Sequence, residues 1–139
     1  ESLVVAALIA EEYPSAGLVL TDPIARARMR VFVNEWESSG ETAFHAASMG
    51  TGPIDVILDV YARLQAPLGT SKFAAGDGLT LANVAIAPFL FRNDHLTRHE
   101  TSTRWARFVD RLVVPGFARF RECAEAVKAH PSVKKTHDE

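Results

Sequence analysis

Cysteine is nearly absent: Cys123 is the single one in 139 residues. That excludes an intrachain disulfide framework and fits a reducing compartment, so a cytoplasmic protein is expected. Charge of one sign is lacking as well. Fifteen Lys and Arg against seventeen Asp and Glu leave a formal net charge of -2, which gives no overall field to draw in nucleic acid or an acidic membrane. Long apolar runs are missing too. The run LVVAALIA at 3–10 has no basic residues before it and Glu11-Glu12-Tyr13-Pro14 after it, too short for a membrane span and wrongly flanked for a secretion signal. A buried helix is expected there. No segment alternates apolar and polar residues over strand length, and no long-period repeat is visible.

What is present is ordinary globular composition, 47% hydrophobic and 23% charged, enough for one domain with a real core. Helix signals punctuate it. Ser2 is placed to cap a first helix ending near Tyr13-Pro14. Thr21-Asp22-Pro23 offers a cap with proline at the first helical position. Ile24, Ala27, Val31, Phe32, Glu35 and Trp36 then follow helical spacing, and the pattern falters at Ser38-Ser39-Gly40 before resuming through ETAFHAASM. A kink or two separate helices fit this equally. Pro53 opens a helix carrying Ile57, Leu58, Tyr61 and Leu64, with Asp55 and Asp59 on its solvent side. A loop is expected over 66–78.

The sharpest local signal is GDGLTLANVAIAPFLFR at 76–92. Thr80 and Asn83 have capping-box spacing: the Thr80 hydroxyl is expected to accept from the Asn83 N–H while the Asn83 side chain reaches back to the Thr80 N–H. Leu79 and Val84 are placed for a hydrophobic staple, and Pro88 is expected to kink the helix. Thr101, Ser102 or Thr103 can cap a segment bearing Trp105, Phe108, Val109 and Leu112. Pro115-Gly116 separates it from a last helix with Phe117, Phe120, Ala124 and Val127, which His130-Pro131 stops. The expected fold is all-α, a bundle of about six or seven helices with no low-complexity linker.

These blocks carry a family resemblance. Glu1-Ser2 entering a helix that ends EEYP, then DPIARARMR, the Thr80 block and AHPSVKKT stand in the order found in cytosolic glutathione transferases. The Thr80 block is the specific signal, and Phe89 beside Pro88 with Arg92 following looks most like the omega-like or fungal branches. The resemblance covers essentially the whole chain. It implies a glutathione-transferase C-terminal helical domain at 15–139, with 1–14 similar to the last helix of a thioredoxin-like domain. A chain opening at Glu1-Ser2 without methionine accordingly reads as a piece of something longer. The family usually has aspartate where Asn83 stands; asparagine keeps the box geometry and loses a charge that favours a helix N-terminus.

The resemblance also implies a site. Glu1 and Ser2 match the pair that holds the γ-glutamyl end of glutathione, and Phe32, Trp36, Phe44, Phe89 and Arg92 match positions lining the pocket for the hydrophobic cosubstrate. The residue that activates the glutathione thiol belongs to the missing domain, so no catalytic residue is expected in this chain. By residue chemistry alone, Ser2 is a cap and the aromatics are core. His95 and His99 lie four apart without a third ligand, so no metal site is expected. Arg26, Arg28 and Arg30 form a solvated or dimer-facing flank, and Cys123, lacking a basic partner within a turn, is a small core residue. The implied function is conjugation of glutathione to a hydrophobic electrophile, or thiol transfer with a disulfide substrate, by a homodimeric enzyme. The alternative is a noncatalytic interaction module of a translation or regulatory assembly. No nucleic-acid or membrane partner is expected.

Overall fold

The computed structural model describes residues 2–99 and 103–137, with side chains placed for 2–98 and 105–137. Glu1, the Thr101 and Ser102 capping candidates and the side chains of Thr103 and His99 lie outside that set. Eight α-helices follow in chain order: α1 (Ser2–Glu12), α2 (Pro23–Glu35), α3 (Glu41–Ser48), α4 (Ile54–Leu68), α5 (Leu81–His99), α6 (Thr103–Leu112), α7 (Ala118–Ala129) and α8 (Pro131–His137). A five-residue π turn, Trp36–Gly40, joins α2 to α3 without a break, so seven separate helical rods result. Among the described residues the only β pairing is the isolated bridge Phe73–Gly76, so the fold is all-α.

Local chemistry sets the starts. The Asp22 carboxylate accepts from the Ala25 N–H at 2.7 Å and Pro23 opens α2, which is the expected cap. At α5 the box is formed differently from expectation. Asn83 Oδ1 does accept from the Thr80 N–H at 3.0 Å, but the Thr80 hydroxyl donates, to Ala74 O at 2.9 Å or Asn83 Oδ1 at 3.0 Å, instead of accepting from the Asn83 N–H. The Asn83 N–H is already used by the Thr80 carbonyl in the first turn. Asn83 Nδ2 points to Cys123 Sγ on α7 at 3.6 Å, and the Leu81 N–H binds Leu18 O at 2.9 Å. One buried cap thus fastens the α1–α2 linker, the 74–76 turn and α7 to the start of α5. The amide donor toward sulfur is something an aspartate in this position lacks.

Several expectations are corrected. The loop expected from Ala66 begins only after Leu68, because α4 runs through Pro67, whose ring is buried in the core with Leu68. Pro88 sits inside α5, as its place in the capped segment implied. In both cases one missing N–H bond is offset by burial of the flanking helix face. Ser2 is the first residue of α1 and not the residue before it. The largest departure is α1 itself: Val4, Val5, Leu8 and Ile9 are 52–68% exposed and only Ala10 is fully buried. The helix rests on α5 and the following turn, and among the described residues its outer face stays open to solvent.

Central α4 packs on α2, α3, α6 and α7, while α5 crosses α2, α6 and α7. Their shared interior holds the largest enclosed side chains, Trp36, Trp105, Tyr61, Phe32 and Phe108. Asp55 on the exposed side of α4 pairs with Arg111 of α6. Replacing Asn83 by Ala removes two acceptor interactions and one donor at a fully enclosed position. The expected loss is about 1–3 kcal/mol of unfolding free energy by urea titration; a loss below about 0.5 kcal/mol would mean that the cap does not fasten these elements.

Candidate functional site

The pocket positions named above converge. The Trp36 and Phe89 ring centroids are 4.8 Å apart and edge-on, Phe44 and Phe89 are 5.2 Å apart, and the Arg92 guanidinium lies 5.1 Å over the Phe89 ring. Phe32 is buried one turn before Trp36. All four aromatics are enclosed, Phe89 the least at 7% exposure, whereas Arg92 is open to solvent. They form a packed aromatic floor with one charged rim residue. Ser2 stands at the far start of α1, outside this cluster.

His45 completes the rim and was not singled out from the sequence. Its ring is 6.0 Å from Phe44 and 6.1 Å from Phe89, and it is exposed. Only its place directly after Phe44 hinted at it, and neighbours in a helix normally face apart. Behind the floor, Tyr61 stacks on Phe120 at 4.2 Å and lies 6.2 Å from Trp36, and Asn93 Nδ2 donates to the Tyr61 hydroxyl at 2.5 Å. Burial pushes the Tyr61 phenol far above its ordinary range, the Asn93 bond opposing this only in part. Trp36 Nε1, Trp105 Nε1 and Asn93 Oδ1 are buried without hydrogen-bond partners.

Two cavities open elsewhere. One of about 300 Å³ lies between α1 and α2, with a floor of Leu3, Met29, Val33 and Leu81 and an edge of Arg30, Asn34 and Glu37. The other, about 780 Å³, lies between the α1–α2 linker, α5 and α8, with Leu79, Pro88 and Phe91 facing His130 and Val133. Val84, whose carbonyl loses its helical partner to Pro88, lines it too. Phe32, Trp36, Phe44, Phe89 and Arg92 line neither. Cys123 is 5% exposed, and burial outweighs Arg119 and its hydrogen bonds in raising its thiol above the usual range, which suppresses the reactive thiolate. Among the described residues no group of three His, Cys, Asp or Glu could hold a metal ion, and no helix is long and apolar enough to cross a membrane.

No family model and no curated protein matches the chain. Solved structures do. Glutathione transferase Omega 2C from Trametes versicolor superposes with a TM-score of 0.87 at 30% identity, over 100% of this chain and 61% of that one. Omega 1C from the same fungus gives 0.85 at 28% identity, over 98% and 59%. Omega 2S, solved with 2,4-dihydroxybenzophenone, gives 0.88 at 26% identity, over 100% and 62%. The chain is similar in fold to the helical part of these transferases. It spans about six-tenths of the length of these structures, and its all-α architecture is that of the transferase C-terminal domain.

Within this transferase-like domain the enclosed Tyr61 has a measurable signature. Its phenol keeps its proton in the folded chain at pH values where the exposed phenol of the unfolded chain, with its ordinary pKa of 10.0, has lost it. The contribution is therefore complete below pH 10 and declines as pH rises, by about 1.4 kcal/mol per unit while only the unfolded state is ionised. Between pH 9 and 11 the wild-type chain should lose about 1 kcal/mol more than Tyr61→Phe in urea unfolding. Parallel pH profiles would contradict an enclosed phenol.

Proposed function

We propose that this chain is the helical half of a glutathione transferase, presenting a cosubstrate wall and a dimer surface to a thioredoxin-like domain that carries the thiol chemistry. The observation that carries this reading is the outer face of α1: Val4, Val5, Leu8 and Ile9 stand open to solvent, in a chain similar throughout to longer omega transferases. A monomeric domain rarely leaves so apolar a helix uncovered. Residues 1–14 accordingly belong to the thioredoxin-like domain and 15–139 to the helical one. Glutathione is the cosubstrate, held at its γ-glutamyl end by Glu1 and Ser2, where an acidic side chain meets the ammonium and a helix start meets the carboxylate.

The hydrophobic electrophile lies against the edge formed by Phe44, Phe89 and Arg92, with Trp36 and Phe32 fixing those rings from behind. The rings supply shape and apolar contact, and the relative solved with 2,4-dihydroxybenzophenone supports an aromatic cosubstrate. The ionisation of the glutathione thiol falls to the thioredoxin-like domain in this reading, and Cys123 faces Asn83 in the interior. The parent protein acts in the cytoplasm as a homodimer. Glutathione-agarose capture and a conjugation assay with an aryl halide test the reading. The chain joined to a thioredoxin-like domain is expected to bind and turn over, and the 139 residues alone to do neither. Retention and turnover by the chain alone would overturn the division of labour, and their absence in the joined protein would favour a noncatalytic interaction module.

A further inference from the structure

The cavity between the α1–α2 linker, α5 and α8 has what the aromatic floor lacks, an entrance. Its walls Leu79, Val84, Pro88, Phe91 and Val133 are half-buried or exposed, and its volume of about 780 Å³ lies within the range of about 300–1,000 Å³ typical of small-molecule sites. Among the described residues no Asp, Glu, Lys or Arg lines it. An ion entering would leave water without a fixed countercharge, so the lining favours a neutral molecule. The α8 side is largely self-occupied: the Thr136 hydroxyl donates to Ser132 O at 2.7 Å, the His137 ring stacks on Phe91 at 3.8 Å, and His130 Nδ1 is enclosed.

The α5 side holds an acceptor that the chain leaves unfilled. Pro88 has no N–H to give the Val84 carbonyl, and no side chain of the described residues donates to it. Residues four apart stand about 40° apart round a helix, and the carbonyl of the first is directed along the axis between them. Val84 and Pro88 both line the cavity, so the carbonyl between them faces it. The proline ring also crowds that oxygen away from the axis. We infer that this cavity is a second ligand site, which takes a neutral apolar molecule bearing a hydroxyl and receives the hydroxyl proton on the Val84 carbonyl. The apolar body of the ligand lies against Leu79, Pro88 and Phe91. The site shares no residue with the proposed cosubstrate wall and stands or falls apart from it.

The test uses the 139-residue chain and two probes of similar shape, 2-naphthol and 2-fluoronaphthalene, of which only the first has a proton to donate. Both are titrated into isotopically labelled protein and followed by amide chemical shifts. Naphthol is expected to shift amides near 79–91 and 130–137 and to bind about tenfold more tightly than the fluoro analogue. Binding of 2-naphthoate is expected to be weaker than that of naphthol. Pro88→Ala returns an N–H to the Val84 carbonyl, so the preference for naphthol should fall to about parity; unchanged shifts elsewhere verify that the variant folds. A preference that survives in Pro88→Ala, or equal affinity for the two probes in the wild-type chain, would overturn the carbonyl as the recipient. Naphthoate binding as tight as naphthol would overturn the selection of a neutral ligand, and absence of shifts at these residues with any probe would overturn the site.

Discussion

Trp36 lies flat against Gly40, and the aromatic layer depends on that contact. A Cβ at Gly40 would stand 2.2 Å from Trp36 Cε3 and 2.6 Å from Cζ3, so the indole occupies the space of the side chain four residues on. Folded inward in this way, Trp36 reaches both Tyr61 of α4 and Phe89 of α5. The π turn does the rest. Positions eight apart on a regular α-helix differ by about 80° around its axis; the wider turn at Trp36–Gly40 takes up the excess residue and brings Phe44 onto the face of Trp36. Both rings then meet Phe89. Ser38-Ser39-Gly40, which looks like a helix break, is the device that keeps one continuous helix in register with its neighbours.

Much of the fold is legible because its decisive chemistry is local. Asp22 and Thr80 mark helix starts through groups within three residues of them, and His130-Pro131 marks a stop through the restricted backbone before proline. Pro67 misleads for the opposite reason. It forfeits one backbone bond, a cost visible in sequence, while the burial that offsets it depends on helices far along the chain. The role of Asn83 is divided in the same way. Its reach to the Thr80 N–H follows from spacing, but its contact with Cys123, forty residues away, does not.

The first helix shows the limit of hydropathy. Val4, Val5, Leu8 and Ile9 are apolar yet exposed, and composition does not separate a helix enclosed by its own chain from one whose outer face is open. The site divides along this line as well. The family resemblance picked out Trp36, Phe44, Phe89 and Arg92, which the structure does bring together, whereas residue chemistry alone read the aromatics as core, and the structure encloses all three. His45 escaped because it takes its meaning from the ring on α5 that it faces. The proposed cosubstrate wall is therefore an aromatic floor made by the core, with polar groups that only tertiary structure sets around it.

The central claim is that Trp36 seated on Gly40 organises this floor, and Gly40→Ala tests it most directly. In an exposed helix this substitution is favourable by about 1 kcal/mol. Here the added methyl must displace the indole, so urea unfolding should show a loss of about 1–3 kcal/mol, with a changed near-ultraviolet tryptophan signal. A chain that is equally or more stable, with that signal intact, would contradict the account.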